Sequence, residues 1–255
     1  MQVEISSLKI RALFISDLHL GFRLANATSA LAMLEKVKTP LIYLVGDTID
    51  YTRLMQHWYW PEHYQKVIDK LESLRESGIK MRVCPGNHDV CLRDKTFVAQ
   101  SDSSDRVVGL FGSIFQMEIS EHYIHETANG RRLLVTHGDL HDEFHQETGG
   151  VTTLGTRIFD SLLWLLPKRV VLLLRRTFKL ILANPRRIEQ KIVEDAKSQK
   201  LDGVIFGHIH TPSLVAKDGF VTANTGDWVE NQSFLAELEN GELVLVNSSR
   251  LLATV

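Results

Sequence analysis

Short apolar runs that end abruptly in polar residues recur along the first half of the chain. Ala12-Leu13-Phe14-Ile15 is one, and Ser16-Asp17-Leu18-His19 follows it. A continuous apolar run of this length predicts a strand covered on both faces. From Thr28 to Lys38 the period changes: Leu31, Met33, Leu34 and Val37 fall near helical spacing, and Pro40 closes the segment. Leu41 to Val45 predicts a second buried strand, which runs out at Gly46-Asp47. A helix is expected from about Pro61 to Ser77, with proline early and Gly78 just past its end, the usual asymmetry of helix termini. The third strand, Met81-Arg82-Val83-Cys84, leads into Pro85-Gly86-Asn87-His88-Asp89. The order so far is β-α-β-α-β.

From Val107 the pattern becomes more β-like, and Arg132 to Thr136 delivers His137-Gly138-Asp139. The stretch from about Thr156 to Lys200 reads as helical. Within it, Leu162 to Leu182 is apolar but interrupted by Lys168, Arg169, Arg175, Arg176 and Lys179, which excludes an ordinary spanning helix of ~20 mainly apolar residues. Two readings fit: a basic amphipathic element on a membrane surface or over a site, or a helical hairpin packed on its own domain. A further helix is expected at Asn184-Pro185, an N-cap followed by proline in the first turn. Gly203 to Phe206 predicts another buried strand, ending in Gly207-His208-Ile209-His210. Phe220 to Ala223, Ser233 to Leu238 and Glu242 to Val246 read as strands with no helix between them, hence as antiparallel.

Composition narrows the class. A chain of 255 residues, 44% hydrophobic and 24% charged, suits one large α/β domain. The net charge of -2 argues against a nucleic-acid partner held by bulk attraction to phosphate. Two cysteines, Cys84 and Cys91, make no disulfide framework, and the start of the chain lacks the charged and apolar blocks of a signal peptide. The expected location is the cytoplasm.

The chemistry lies at the strand endings. In a strand, residues i and i+2 share a face, so Asp17 and His19 can reach one ion together. Open α/β sheets bind ligands at the carboxyl ends of their strands. Five such endings supply Asp17 and His19, Asp47, Asn87 with His88, His137, and His208 with His210. This donor set contains carboxylate, imidazole and amide but no thiolate, which favours catalytic manganese, iron or zinc over a structural zinc. Seven ligands exceed one tetrahedral ion but suit two ions ~3.5 to 4 Å apart that share a carboxylate, the arrangement that clamps an in-line phosphoryl displacement.

The blocks Asp17-Leu18-His19, Gly46-Asp47-Thr48-Ile49-Asp50, Gly86-Asn87-His88-Asp89, His137-Gly138-Asp139 and Gly207-His208-Ile209-His210 resemble, in order, those of the calcineurin-like metallophosphoesterases. The resemblance implies a four-layer sandwich of two mixed sheets flanked by helices, in a single domain spanning 1–255 with a helical lid inserted at 150–200. It implies two divalent ions, manganese being expected and iron or zinc the alternatives. Asp17, His19 and His210 would hold the first, Asn87, His137 and His208 the second, and Asp47 both, with a metal-activated water as nucleophile. His88 would act on the phosphoryl group or the leaving oxygen, oriented by Asp89. Trp58-Tyr59-Trp60-Pro61 and Asn224-Thr225-Gly226-Asp227-Trp228-Val229-Glu230, with the helical insertion, are similar to the UDP-2,3-diacylglucosamine hydrolases of lipid A biosynthesis. That narrower likeness implies a pyrophosphate cleaved to a lipid monophosphate and UMP, with peripheral contact on the inner face of the membrane through 162–182. Leu172-Leu173-Leu174 and Arg175-Arg176 depart from the expected lid pattern. The alternatives are a soluble metallophosphoesterase for nucleotide phosphodiesters, phosphomonoesters or phosphoproteins, and a scaffold with a vestigial site, against which stands the filling of all seven ligand positions.

Other polar residues are less marked. Asp50 either orients His19 or His88 or caps the next turn. His137, His141 and His145 are spaced like a helical stripe, but Gly138 predicts a turn that breaks it. His57, His63, His122 and His125 are expected at the surface, Cys84 is expected to be a small buried hydrophobe, and Arg23 and Arg53 are candidates for a second phosphate.

Overall fold

The computed structural model describes residues 9–93, 110–112, 114, 116–142, 166, 167, 170, 185–247 and 250–255. A seven-stranded and a five-stranded mixed sheet lie face to face. The first has the order β12-β11-β10-β1-β2-β3-β4 and the second β5-β6-β7-β9-β8. The strands are β1 (Ile10–Ile15), β2 (Leu41–Val45), β3 (Lys80–Cys84), β4 (Glu118–Ile119), β5 (His122–Glu126), β6 (Arg132–Thr136), β7 (Gly203–Phe206), β8 (Ser213–Lys217), β9 (Phe220–Asn224), β10 (Ser233–Leu238), β11 (Leu243–Asn247) and β12 (Arg250–Thr254). The described helices are α1 (Ala27–Lys36), the short α2 (Tyr51–Leu54), α3 (Glu62–Glu76) and α4 (Pro185–Ser198).

The continuous apolar runs have the expected cause, which is that both faces of the central strands are covered. Leu13, Ile15, Ile42, Leu44 and Val83 pack beneath α1 and α3. Their alternates Ala12, Phe14, Tyr43, Val45 and Cys84 face the second sheet and meet Tyr123, Leu133, Val135, Ile205 and Val221. On the far side Ile188, Ile192 and Ala196 form one stripe of α4 against Leu134, Val204 and Phe206. The result is the four-layer α/β sandwich, helices outside and two mixed sheets within. Among the described residues, no helix is long and apolar enough to cross a membrane.

Three expectations change. Of the three strands expected to be antiparallel, β10 and β11 do pair so, whereas β9 lies in the other sheet, parallel to β7, because β8 inserts as its antiparallel hairpin partner and returns the chain in the original direction. Part of the 150–200 stretch read as a lid, α4, is the outer layer on the second sheet; the rest lies outside the described residues apart from Leu166, Pro167, Val170, Gln199 and Lys200, and His145 and Asn184 lie outside them too.

The third change is His125, which is buried between the sheets rather than at the surface. Its Nε2 lies 2.8 Å from Glu237 Oε2 and its Nδ1 3.2 Å from the Tyr43 hydroxyl. Arg82 donates to that hydroxyl, and Arg11 donates to both oxygens of Glu237. The chain of partners is satisfied when Tyr43 donates to Nδ1 and Nε2–H donates to Glu237. Glu237 is 0% exposed. Burial pushes its carboxyl pKa up, but hydrogen bonds from His125, the Ala128 N–H and Arg11 prevail and hold it below the usual range.

A depressed folded pKa contributes stability above the unfolded value of about 4.3 and loses it as pH falls through the folded one. Glu237→Gln should therefore flatten the acid limb of a urea-denaturation series. At neutral pH it should cost about 3 kcal/mol, the low end for one member of a buried ion pair, since the Arg11 side chain remains 40% exposed. An unchanged midpoint at pH 7 would remove the network from the account of stability.

Candidate metal centre

β1, β2, β3, β6 and β7 all deliver their carboxyl ends to one edge of the sandwich, and the loops leaving them cross-connect. Asp17 N–H donates to Gly46 O (3.0 Å), His19 N–H to Asp47 O (2.9 Å), Gly207 N–H to His137 O (3.1 Å) and Trp228 N–H to Asp17 O (3.1 Å). Asp17 and His19 do reach one place, though not by the pleat of a strand. β1 ends at Ile15, and the two residues have φ of 53° and 48°. Asp47 (52°), His208 (63°) and His210 (51°) share that left-handed conformation. For residues other than glycine it costs on the order of 1 kcal/mol each or more, and such strain gathers at functional sites.

The side chains converge. Asp17 Oδ1 is 3.0 Å from His210 Nε2 and 3.7 Å from His19 Nε2. Asp47 Oδ2 is 3.4 Å from His137 Nε2 and 3.8 Å from His19 Nε2. Asn87 Oδ1 is 3.1 Å from His208 Nδ1, and the rings of His137 and His208 lie 5.2 Å apart. Among the described residues, three overlapping groups bring potential ligand atoms within 4.8 Å of one another: Asp17–His19–His210, His19–Asp47–His88 and Asp17–Asp47–His137. Asp47 belongs to two of them. All seven residues read as ligands from the sequence thus stand around one site.

The residues fit a pair of divalent ions. Asp17 and His137 are buried, yet Asp17 Oδ1 and His137 Nε2 find no well-aligned hydrogen-bond partner. Such orphaned donor atoms are costly unless something else satisfies them. Burial pushes the Asp17, Asp47 and Asp50 carboxyls up, but His210 beside Asp17, His137 beside Asp47 and Arg53 beside Asp50 outweigh it and hold each well below the usual range. The concentrated negative charge in turn overrides the burial of His137 and draws its pKa well upward. A buried, ionised, oxygen- and nitrogen-rich cluster of this kind attracts a hard or borderline cation.

His88 stands slightly apart, its side chain 25% exposed. Its backbone N–H donates to Asp47 Oδ1 (2.8 Å), while its Nδ1 lies 2.9 Å from Asp50 Oδ1 and 3.2 Å from Thr52 Oγ1. The expectation that Asp89 orients this imidazole is therefore corrected: Asp50 does so. The Asp89 carboxylate instead accepts the backbone N–H groups of Gly86 (2.6 Å) and Thr48 (2.8 Å), lashing the β3 exit to the β2 exit. Burial and the neighbouring Asp47 charge push Asp89 up to about 7, whereas the Asp50 and Asp47 charges overcome the burial of His88 and bring it to about 8. Asp50 also faces His19 Nδ1 at 3.3 Å, so it serves both imidazoles as well as accepting from Arg53 N–H in the following turn.

The other candidates make contacts of their own. Arg53 is paired with Asp50 and lies over the Phe22 ring, 4.2 Å from its centroid, and Arg23 donates to Leu166 O. His141 belongs to a 3-10 turn, Asp139–His141, that begins at Gly138 (φ 107°), and it faces Asp195. Cys84 is buried, and burial raises its thiol. Tyr59 and Trp60 pack edge-on against Tyr64, while Trp58 is exposed.

Sequence reasoning did not find Arg93, which donates to Gly86 O and Pro85 O and pairs with Asp139, joining the β3 and β6 exits. It also missed Asp227, whose Oδ1 accepts the N–H groups of Val229 and Glu230 while Oδ2 lies 3.7 Å from His210 Nδ1. The Asn224–Glu230 block was the signal available for Asp227; nothing in the sequence marks Arg93.

The sequence profile described as calcineurin-like phosphoesterase matches residues 10–212. Among solved structures, the chain is similar to YfcE, a phosphoesterase from E. coli, at 15% identity over 96% of this chain and 97% of that one, with a TM-score of 0.48. An archaeal phosphodiesterase is 15% identical over 94% and 99% of the two chains, with a TM-score of 0.46. Vacuolar protein sorting 29 from Cryptosporidium parvum is 14% identical over 98% of each, also at 0.46. No curated protein matches the chain.

The tightness of the loop edge gives a direct test. A Cβ on Gly86 would overlap Asp47 Oδ1 and come within 2.6 Å of the Asp47 backbone nitrogen. Gly86→Ala should lower stability by about 1 to 3 kcal/mol, the range for overpacking, and reduce divalent metal content measured by elemental analysis. A variant with wild-type melting and metal content would contradict this packing of the β2 and β3 exits.

Proposed function

This chain belongs to the calcineurin-like phosphoesterase family, and we propose that it is a phosphohydrolase for a nucleotide-linked lipid of the UDP-diacylglucosamine type, cleaving the phosphoanhydride to a lipid monophosphate and UMP. The family works with a dinuclear divalent metal site. In this reading Asp17, His19 and His210 would hold one ion and Asn87, His137 and His208 the other. Asp47 would hold both, and manganese is the expected metal. When bound, the ions supply Lewis-acid charge at the phosphoryl oxygens and a water of lowered pKa.

The chain's own part is positional and protonic. Asp50 and Thr52 engage His88 through Nδ1, which leaves Nε2 to meet a phosphoryl oxygen or to protonate the leaving oxygen. Asp89 holds two backbone N–H groups and so keeps Asp47 and His88 in register. The observation that carries the reading is the convergence of seven candidate ligand side chains at one sheet edge, two of whose buried donor atoms lack a hydrogen-bond partner.

The substrate class rests on the similarity of the Trp58–Pro61 and Asn224–Glu230 blocks. The second of these touches the centre from behind, through the Trp228 N–H on Asp17 O and Asp227 near His210. It thus supports the metal chemistry more directly than the lipid. The apolar, cation-bearing 162–182 segment supports a helical lid within one domain and a peripheral contact with the inner face of the membrane.

His88→Ala should keep both ions while losing roughly 10²-fold or more in kcat, the usual scale for a lost general acid. Metal-free variant protein on elemental analysis would reassign His88 as a ligand. Manganese-loaded enzyme offered a panel from bis-p-nitrophenyl phosphate to a UDP-linked diacyl sugar should turn over the lipid with the higher kcat/KM, and the protein should float with anionic liposomes. Turnover of the simple diester alone, with no flotation, would replace the lipid reading by that of a soluble phosphodiesterase.

A further inference from the structure

Each of the four histidines around the centre has a protein acceptor behind it. His19 Nδ1 faces Asp50 at 3.3 Å, His137 Nδ1 faces the Val45 carbonyl at 2.8 Å, and His210 Nδ1 faces Asp227 at 3.7 Å. In all three, Nε2 is the nitrogen directed at Asp17 or Asp47. His208 is reversed. Its Nδ1 lies 3.1 Å from Asn87 Oδ1, and its Nε2 lies 3.1 Å from Asp142 Oδ2.

A neutral imidazole carries its proton on one nitrogen and offers a lone pair on the other, so the acceptor that takes the proton selects the nitrogen left for a metal. We propose that Asp142 is a positioning residue for His208: its carboxylate takes Nε2–H and commits Nδ1 to the same ion as Asn87 Oδ1. This rests on the two-ion reading above.

Local structure explains how Asp142 reaches that place. Gly138 turns the chain at φ 107°, the Asp139–His141 turn follows, and Asp142 N–H closes it on Asp139 O at 3.0 Å. The Asp142 side chain is 14% exposed, lying against the ring rather than in water. The neighbouring imidazole has its own carboxylate, since His141 Nε2 faces Asp195 Oδ2 at 3.2 Å. Two carboxylate–imidazole pairs therefore stand side by side, and only the Asp142 pair includes a residue of the centre. A carboxylate behind a ligating histidine fixes its orientation and raises its basicity, and removing one typically weakens metal binding 10- to 100-fold.

The test uses full-length protein with ¹⁵N-labelled histidine, titrated with ¹¹³Cd and observed by NMR. Two cadmium ions per chain are expected, with ¹¹³Cd–¹⁵N coupling to Nδ1 of His208 and to Nε2 of His19, His137 and His210. Asp142→Ala should weaken one of the two cadmium sites by about 10- to 100-fold, leave the other unchanged, and lose the Nδ1 coupling of His208. Asp142→Asn, which keeps a neutral acceptor, should fall between, and Asp195→Ala should bind like wild type. Coupling of His208 through Nε2 in wild-type protein, an unchanged titration for Asp142→Ala, or an equal loss in Asp195→Ala would overturn the role of Asp142 while leaving the two-ion centre standing. Wild-type protein that takes up fewer than two cadmium ions would overturn the two-ion reading itself.

Discussion

Two carboxylates, Asp17 and Asp47, are buried at the edge where the parallel strands end, and the ion-pair partners recorded for them are imidazoles, not ammonium or guanidinium groups. Taking a carboxylate out of water is expensive unless its charge is met. Imidazoles meet it either by taking up protons or by sharing a cation, and the same arrangement serves both. Much of the surrounding structure follows from that requirement. Four histidines come from three different strand exits, those of β1, β6 and β7, each backed by an acceptor that settles its ring, and Asn87 adds a neutral oxygen where another charge would be repelled.

Holding those groups together requires backbone conformations the chain would otherwise avoid. Asp17, His19, Asp47, His208 and His210 all take left-handed φ values, and glycines at 46 and 138 do the same beside them. The compensation is visible in the hydrogen bonds: the β1 exit is stitched to the β2 exit, the β7 exit to the β6 exit, and the Trp228 loop to Asp17. Behind them the parallel pairings β1–β2–β3 and β6–β7 provide two stiff sheets. A site on strand ends can carry this strain because neither loops nor sheet can relax independently of the other.

The end of the sandwich away from Asp17 uses polar groups differently. Near the start of β1, Arg11, Glu237 and His125 form a closed set in which each charge has a partner, continued through Tyr43 to Arg82. A satisfied network of this kind stabilises and needs no ligand. The candidate metal-centre edge keeps atoms such as His137 Nε2 buried without a well-aligned hydrogen-bond partner. The contrast separates a closed cluster of titratable residues between the sheets from an open one at the strand ends.

The hydrophobic pattern alone located β1, β2, β3, β6 and β7 to within a residue or two, because the stretch of a strand covered on both faces is mainly apolar and the polar residues that follow it mark the exit. That same rule brought all seven ligand candidates and His88 to notice. Tertiary structure decided what each polar residue touches. Asp50 rather than the adjacent Asp89 orients His88, His125 lies inside, β9 runs parallel to β7 after the β8 hairpin, and Asp142 and Asp227 stand behind histidines far away in the chain. Asp17 and His19 converge through left-handed turns that no strand period describes. The physical reason is that burial imposes a period on regular elements. Loops have none: there, side-chain direction is set by individual φ and ψ values and by partners brought close only when the sheets stack.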